Sequence, residues 1–201
     1  GGTLTSEISD IIKKIKGELK VPLGIHTHND LGLAGANSIA AVEAGCRHVQ
    51  GTINGYGERC GNADLIPIIG ILKLKLHKDC ISDNRVKELT EVSRFVSEIS
   101  NMKQSDNQPF VGKSAFAHKA GVHINAVLKN PKSYEHINPA LVGNVRRILV
   151  SELAGKSPIL MKAEELHLDL KKDSPETKKV LKLLQDLEHQ GYAFEAADAS
   201  F

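Results

Sequence analysis

The sequence predicts an α/β chain in which two β/α units, residues 1–80, precede a mainly helical region, residues 81–201. Up to residue 80, short apolar runs alternate with helical patterns, which is typical of a parallel α/β architecture. From Asp83 onward the strand pattern stops and apolar residues recur at helical spacing. Aromatic residues make up 4% of the chain and Trp is absent, so aliphatic side chains must supply most of the packing, which disfavours all-β folds.

The first unit opens with an amphipathic helix in residues 1–20, where Thr3 or Thr5 is available as the N-cap. Its apolar face consists of Leu4, Ile8, Ile11, Ile12 and Ile15. The segment VPLGIHTHND then predicts a short strand, and GLAGANSIAAVEAG predicts a helix that Gly45 ends.

The second unit repeats this order, with a strand at RHVQGTI, a Gly-rich turn at NGYGERCGNA and an apolar helix at ADLIPIIGILKLKL. Two strands are too few for a stable parallel sheet. We therefore expect these units to be part of a larger barrel or sheet. The start at GGTL, without an initiating Met, favours a piece of a longer product.

The mainly helical region begins with one long amphipathic helix, followed by a polar loop around Pro109. The apolar positions of that helix are Val86, Leu89, Val92, Val96 and Ile99. A helix at AFAHKAGVHINAVLK, a strand at RRILVSE and two further helices follow. The last helix carries Val180, Leu183, Leu184 and Leu187 and ends before Gly191, and another element is expected to begin in AADASF.

Charge and cysteine content limit the partners. The 26 basic and 24 acidic residues give a net charge of +2 and are spread along the chain, so no surface for nucleic acid or an anionic membrane is expected. No apolar stretch is long enough to span a membrane. Three cysteines without CxxC spacing favour free thiols in a reducing cytoplasm.

The strongest local signal for chemistry is the pair His26 and His28. In a strand, residues two apart project to the same face, so both imidazoles can reach one ion at the carboxyl end of the strand. Two buried or hydrogen-bonded histidines are the alternative interpretation, and the neighbouring Asn29 and Asp30 favour metal. A divalent ion needs a further ligand, commonly a carboxylate, which must come from elsewhere.

The Gly-rich loop, residues 54–63, is the second signal, because backbone amides in such a turn can approach an anionic or carbonyl ligand. Its glycines could instead serve only a tight strand-to-helix turn. The presence of Glu58, Arg59 and Asn62 in the same loop favours a functional role. Cys60 is interpreted as a small buried residue with a structural role, since nothing nearby marks a low thiol pKa.

The paired motifs GIHTHNDLGLAGAN and GTINGYGERCGNADL resemble the Claisen-condensing branch of the metal-dependent aldolase and lyase barrels, which includes isopropylmalate, homocitrate and citramalate synthases. The resemblance continues through SAFAHKAGVHINAVLKNPKSYEHI, VRRILVSELAGKS and EHQGYAFEAADASF, which look most like the citramalate synthases. It implies that residues 1–80 are the last β/α units of a TIM barrel. Residues 81–201 would be linker subdomains leading to a regulatory domain.

By this resemblance, His26, His28 and Asn62 correspond to residues at a divalent metal, Zn, Mn or Mg. His123 and Tyr134 match linker residues that assist catalysis in the partner subunit of a homodimer. The family motif that carries the acidic metal ligand is absent from this sequence. His118 lies five residues before His123, a spacing that does not align them on one helical face, and it is left out of the site.

The reaction implied is the condensation of acetyl-CoA with a 2-oxo acid, in branched-chain amino acid biosynthesis. Pyruvate, giving citramalate, is preferred by the subgroup resemblance, and 2-oxoisovalerate, giving 2-isopropylmalate, and 2-oxoglutarate stay open because the residues that select side-chain length lie mostly upstream. The loop residues Gly55, Gly57, Glu58 and Gly61 would shape the acyl-CoA side, and this chain alone is expected to be inactive. Two alternatives stay open, a metal-dependent retro-aldol lyase of the same barrels and a dimerisation and linker module without catalysis.

Overall fold

A computed structural model describes residues 1–149, 156–165, 167–171, 173–192 and 194. It divides into two units. Unit 1 comprises residues 1–115 and 140–144, and unit 2 comprises residues 116–139 and 145–201. The two units are defined by which segments pack together. The predicted boundary near residue 80 instead marks the point where alternating strands and helices give way to helices. The assignment of residues 1–80 to a barrel and 81–201 to a linker therefore stays a prediction.

Unit 1 confirms the predicted alternation of helices and strands. Its elements up to residue 80 are α1 (Thr5–Glu18), β1 (Gly24–His26), α2 (Ala34–Ala44), β2 (His48–Gln50) and α3 (Leu65–Leu74), with a 3-10 turn at Ile53–Gly55. The two strands pair in parallel, with Gly24 opposite His48 and His26 opposite Gln50. Because the strands are parallel, the chain segments that follow β1 and β2 emerge at the same edge of the sheet.

The start of α1 differs from the prediction that Thr3 or Thr5 caps it. The helix begins after Leu4, whose backbone N–H donates to the Glu7 carboxylate at 2.7 Å. The Thr5 hydroxyl is used elsewhere, donating to Asn37 Oδ1 of α2 at 2.8 Å. An acidic side chain reaching back over the first turn thus replaces the threonine cap, and the threonine ties α1 to α2.

The core of unit 1 lies on both sides of α2, whose inward positions are mostly small. One cluster contains Ala34, Ala63, Ile68 and Leu72 and the other contains Ile12, Ala41 and Cys46. Alanines let α1 and α3 approach α2 closely, and α2 ends at Gly45 as predicted, with φ of 121°. Cys46 is buried, Cys60 and Cys80 are exposed, and all three thiols are free.

The long helix predicted after Asp83 is two helices, α4 (Asp83–Val86) and α5 (Leu89–Ile99). The apolar periodicity is confirmed at Val86 and Leu89, which are buried, but it is wrong at Val92 and Ile99, which are exposed. The buried positions of α5 are Leu89, Thr90, Ser93 and Ser97. The hydroxyls of Thr90, Ser93 and Ser97 are all hydrogen-bonded within unit 1, which removes most of the free-energy cost of burying them.

Unit 2 contains β3 (Ala117–His118), α6 (Gly121–Lys129), β4 (Arg147–Ile148), α7 (Lys156–Glu165) and α8 (Pro175–His189). β3 pairs in parallel with β4, so the helix predicted from Ala115 onward begins only at Gly121. The predicted strand at RRILVSE is confirmed at Arg147–Ile148, and AADASF lies outside the described residues. Ile159 and Leu184 form the centre of the packing between α7 and α8.

No helix in the ranges given above combines the length and the apolar character needed to cross a membrane.

Candidate active site

The two histidines of the HxH motif lie where β1 ends. Thr27, between them, is buried and its hydroxyl donates to the Ala34 carbonyl of α2, 3.1 Å away. Strand alternation therefore directs His26 and His28 to the opposite side from α2. Their ring centroids are 5.1 Å apart and the ring planes are nearly perpendicular. The spacing predicted from the sequence thus brings both imidazoles together.

The end of the Gly-rich loop lies against the same stretch of chain. Asn62 pairs with His28 in an isolated antiparallel bridge. On either side of it, the Asn29 N–H donates to the Gly61 carbonyl at 2.9 Å and the Ala63 N–H donates to the Thr27 carbonyl at 3.0 Å. Backbone hydrogen bonds therefore place Asn62 beside His28, although the two residues are far apart in sequence.

Two buried polar atoms at this bridge have no hydrogen-bond partner among the described residues, His28 Nδ1 and Asn62 Oδ1. The Asn62 side-chain amide donates through Nδ2 to the Tyr56 carbonyl at 3.2 Å, which leaves its oxygen as the free acceptor. Leaving a buried acceptor unpaired costs about 1–3 kcal/mol. A bound divalent cation would satisfy both atoms, so the residues present fit the metal site that the sequence predicts.

The ligand set in this chain is nevertheless incomplete. No three His, Cys, Asp or Glu side chains converge in the part of the chain that the structure describes. A metal at His26, His28 and Asn62 would therefore have two imidazoles and one amide oxygen. The carboxylate ligand is therefore missing from the described residues, and the family resemblance predicts it in a motif that this sequence lacks.

The glycines of the loop have a clear structural task. A Cβ at Gly57 would lie 2.4 Å from Asn62 Nδ2, and a Cβ at Gly61 would lie 2.2 Å from the Gly55 carbonyl oxygen. Gly61 also has φ of 91°, a left-handed conformation that glycine adopts readily. The loop can thus fold back on itself and present Asn62 because these positions have no side chains.

The far side of the loop is tied to the chain that follows His28. Arg59 donates through Nε and Nη2 to the two carboxylate oxygens of Asp30, at 3.0 and 3.1 Å. These hydrogen bonds lower the pKa of Asp30 below its ordinary value. Glu58 is 86% exposed and its nearest basic partner is Arg59, at 3.9 Å. Cys60 is exposed, so its interpretation as a small buried residue was wrong.

A buried polar network supports the loop from beneath. Asn54 donates to the Ser93 carbonyl at 2.8 Å, and its side-chain oxygen accepts from Ser93 Oγ and from Gln108 Nε2. Gln108 Nε2 also donates to Asp64, whose other oxygen accepts the Ile66 N–H and so caps α3. Burial raises the pKa of Asp64 despite these donors. Both ends of the Gly-rich loop are therefore anchored to the same cluster.

In unit 2, the structure brings together the two residues predicted to be catalytic. The ring centroids of His123, on α6, and Tyr134 are 4.4 Å apart, with the planes tilted by 35°. Both side chains are exposed. An imidazole and a phenol side by side at the surface can exchange protons with a bound molecule.

Sequence reasoning missed the group next to this pair. His118 was set aside, but its ring lies 6.5 Å from that of Tyr134 and its Nε2 is 3.3 Å from Glu135. Glu135 is buried and accepts two hydrogen bonds from Arg146. The Arg146 hydrogen bonds lower the pKa of Glu135 below its ordinary value. No periodic pattern links these residues, and only the tertiary fold brings them together.

Comparison with known proteins gives two family matches. The HMGL-like model matches residues 1–96, and the homocitrate synthase post-HMGL domain-like model matches residues 110–191. The chain is 50% identical over its whole length to an (R)-citramalate synthase of Geobacter sulfurreducens and 55% identical to one of Aquifex aeolicus. It is 42% identical over 81% of its length to a 2-isopropylmalate synthase of Methanocaldococcus jannaschii.

In each case the match covers only part of the relative. The chain spans 38% of the length of the two citramalate synthases and 31% of the 2-isopropylmalate synthase.

Proposed function

Because residues 1–96 belong to the HMGL-like family and residues 110–191 to the homocitrate synthase post-HMGL domain-like family, we propose that the full-length protein is an acyltransferase that condenses acetyl-CoA with a 2-oxo acid. Pyruvate is the proposed 2-oxo acid, giving citramalate, since several relatives that match the whole chain are named (R)-citramalate synthase. The match to 2-isopropylmalate synthases makes 2-oxoisovalerate the second candidate substrate.

The observation that carries this proposal is the pair of buried, unpartnered polar atoms His28 Nδ1 and Asn62 Oδ1 beside His26. These three residues would hold a divalent cation, Zn, Mn or Mg, with a carboxylate from outside this sequence. When bound, the cation supplies Lewis-acid polarisation of the keto carbonyl of the 2-oxo acid. Asn62 is held ready for this task by its hydrogen bond to the Tyr56 carbonyl.

The Gly-rich loop would form the acyl-CoA side of the site, through Gly55, Gly57, Glu58 and Gly61. The fixed loop geometry supports this assignment, because the Arg59 and Asp30 pair and the Asn54 network hold the loop on two sides. Glu58 is 86% exposed on the loop, so a substrate can reach its carboxylate. Rigid loops lose little conformational entropy on binding.

His123 and Tyr134 would move protons in the reaction. Their rings are adjacent and accessible, which suits removal of a proton from the acetyl methyl group and return of a proton to the product alkoxide. By the family resemblance, these two residues would act on the site of the second subunit of a homodimer. A reducing cytoplasm, which suits three free thiols, is the proposed location.

This chain alone would be inactive, because no three His, Cys, Asp or Glu side chains among its described residues converge to hold the metal. The test compares the full-length gene product with the 201-residue chain, each with and without divalent metal. Thiol release from acetyl-CoA is measured with pyruvate, with 2-oxoisovalerate and with 2-oxoglutarate. Metal-dependent turnover with pyruvate by the longer protein only is the expected result, and no turnover with any of the three 2-oxo acids would refute the synthase assignment.

Matched histidine variants sharpen this test. In the full-length protein, His28→Asn should abolish metal-dependent turnover and weaken metal binding measured by calorimetry. His77→Asn is the control, because His77 is exposed in unit 1 and Asn tolerates its φ of 50°. An equal loss of turnover and of metal binding in both variants would show that the effect is not specific to the site.

A further inference from the structure

Unit 2 contains a buried charge to which the proposed reaction assigns no task. The Glu135 side chain is 2% exposed. Its oxygen Oε1 accepts from Arg146 Nε at 2.6 Å and from His118 Nε2 at 3.3 Å, and Oε2 accepts from Arg146 Nη2 at 2.7 Å. A carboxylate removed from water is tolerated only when it is paired and hydrogen-bonded in this way. So complete a set of donors fixes the position of Glu135.

Glu135 ends a short turn that carries Tyr134. The turn is a single 3-10 segment, Pro131–Ser133, and the Glu135 N–H donates to the Pro131 carbonyl at 3.0 Å. Asn130 starts the turn, with its side-chain oxygen accepting the Lys132 N–H. The turn is therefore closed at both ends, and its start is attached to α6, because the Asn130 N–H donates to an α6 carbonyl at 2.8 Å. Its far end, which carries Tyr134, needs a separate attachment to unit 2.

The side chains after Tyr134 make that attachment. His118 belongs to β3 and Arg146 immediately precedes β4, so the Glu135 carboxylate joins the end of the turn to the parallel strand pair. The next residue, His136, stacks on Phe116 with ring centroids 5.8 Å apart, and Phe116 is buried just before β3. Two consecutive side chains thus hold the turn against the strand pair.

The ring of Tyr134 has no comparable support of its own. It is exposed, and its described ring contacts are His123 at 4.4 Å and His118 at 6.5 Å. An exposed ring keeps a fixed distance to a partner only if its backbone is fixed, because exposed side chains exchange rotamers freely. The position of the Tyr134 backbone, set by its neighbour Glu135, therefore decides whether the phenol meets the imidazole.

We propose that Glu135, held by Arg146 and His118, is a positioning residue that keeps the Tyr134 phenol against the His123 imidazole. The expected effect of Glu135 on turnover rests on the proposed function, whereas the arrangement of Glu135, Tyr134 and His123 does not. Glu135 touches no substrate in this scheme. Its ionised carboxylate accepts three hydrogen bonds, and a neutral glutamine cannot match them because its NH₂ group would face an Arg146 donor.

The geometry is tested on the 201-residue chain by NMR of the histidine ring protons. At 4.4 Å, the His123 ring protons lie within the ring current of Tyr134, and His123→Gln assigns their signals. Glu135→Gln should move these signals toward the positions of a free histidine, as Tyr134→Leu does. Glu164→Gln is the matched control, because Glu164 is an exposed glutamate of the same unit, on α7, and should leave them unchanged.

A second variant guards against loss of folding in Glu135→Gln. Arg146→Lys keeps the positive charge but loses the paired N–H donors, so the same His123 signals should move in the same direction by a smaller amount. If both variants fold and leave the His123 signals in place, the proposal is overturned.

The effect on turnover is tested by a double-mutant cycle in the full-length protein. Glu135→Gln should lower kcat by about 100-fold, the scale of a misplaced catalytic group, with the KM for the 2-oxo acid within about twofold. If Glu135 acts through Tyr134, then Glu135→Gln combined with Tyr134→Phe should be no slower than Tyr134→Phe alone. A merely structural role predicts that the two losses multiply, and that result would overturn the proposal.

The two measurements separate the two hypotheses. Movement of the His123 signals without turnover by the wild-type full-length protein would refute the proposed function and support the positioning role. Turnover by the wild type with unmoved His123 signals in Glu135→Gln would support the proposed function and overturn the positioning role.

Discussion

Gly61→Ala tests whether the Gly-rich loop is shaped by its own backbone. Gly61 has φ of 91°, and a Cβ would lie 2.2 Å from the Gly55 carbonyl oxygen. Placing an L-residue in the left-handed region costs about 1–2 kcal/mol. Forcing a packed group aside costs about another 1–3 kcal/mol. The free energy of unfolding of unit 1 should therefore fall by about 2–5 kcal/mol.

Gly35→Ala is the control for the same chemical change. Gly35 lies in α2, and a Cβ there meets nothing within 4 Å. Alanine is preferred over glycine in a helix by about 0.5–1 kcal/mol, so this variant should be slightly more stable than the wild type. The two substitutions should therefore change stability in opposite directions.

Urea unfolding of the 201-residue chain, followed by circular dichroism, gives the two free-energy changes. Hydrogen exchange shows whether the change in Gly61→Ala is centred on residues 51–65 and on the Asn29 amide, which donates to the Gly61 carbonyl. A loss below about 1 kcal/mol for Gly61→Ala would refute the reasoning, because it would mean that the loop relaxes around a Cβ without strain.

Three further predictions concern buried polar side chains. Asn144→Ala should lower the free energy of unfolding by about 2–4 kcal/mol in urea titration, because Asn144 Nδ2 donates to two buried carbonyls, at 3.0 and 3.1 Å, that would lose this donor. Glu135 has a lowered pKa, so its stabilisation is complete above the ordinary glutamate pKa of about 4.3 and is lost as the pH falls through the folded value. The stability difference between wild type and Glu135→Gln should therefore shrink on acidification, and a difference independent of pH from 7 to 2 would contradict this. Asp64 has a raised pKa, so its ionisation costs stability above the folded pKa and costs nothing below about 3.9. In paired urea titrations, the free energy of unfolding of Asp64→Asn should therefore rise relative to that of the wild type as the pH rises from 3 to 7.

Much of unit 1 was predictable because local pattern and tertiary environment agree there. The β1, α2 and β2 order follows from apolar runs and small-residue periodicity, and Gly45 ends α2 as its conformational freedom predicts. His26 and His28 share a face because strand geometry alone requires it. The place of Asn62 beside His28 followed only from the family resemblance, since the bridge between them depends on how the loop folds.

Two of the failures, at α5 and at Glu135, share a physical cause, which is burial of polar groups that find distant partners. Periodicity assumes that apolar residues face inward, but Ser93 and Ser97 of α5 are buried because Asn54, Tyr56 and the Met102 carbonyl are there to bond them. Glu135 was missed for the same reason, since its partner Arg146 is defined by the fold and not by spacing. Hydrogen-bond complementarity between distant segments leaves no periodic signal in a single sequence.

The hydroxyl-lined contact of α5 also has a mechanical consequence. An aliphatic interface can shear, because one methyl group replaces another with little change in energy. The Ser93 and Asn54 contact consists of two directed hydrogen bonds, of 2.6 and 2.8 Å, and Tyr56 adds another to Ser97 at 3.2 Å. A slide of α5 by one residue, about 1.5 Å, would break them together. These hydrogen bonds couple α5 rigidly to the Gly-rich loop, so a displacement of α5 would move the loop with it.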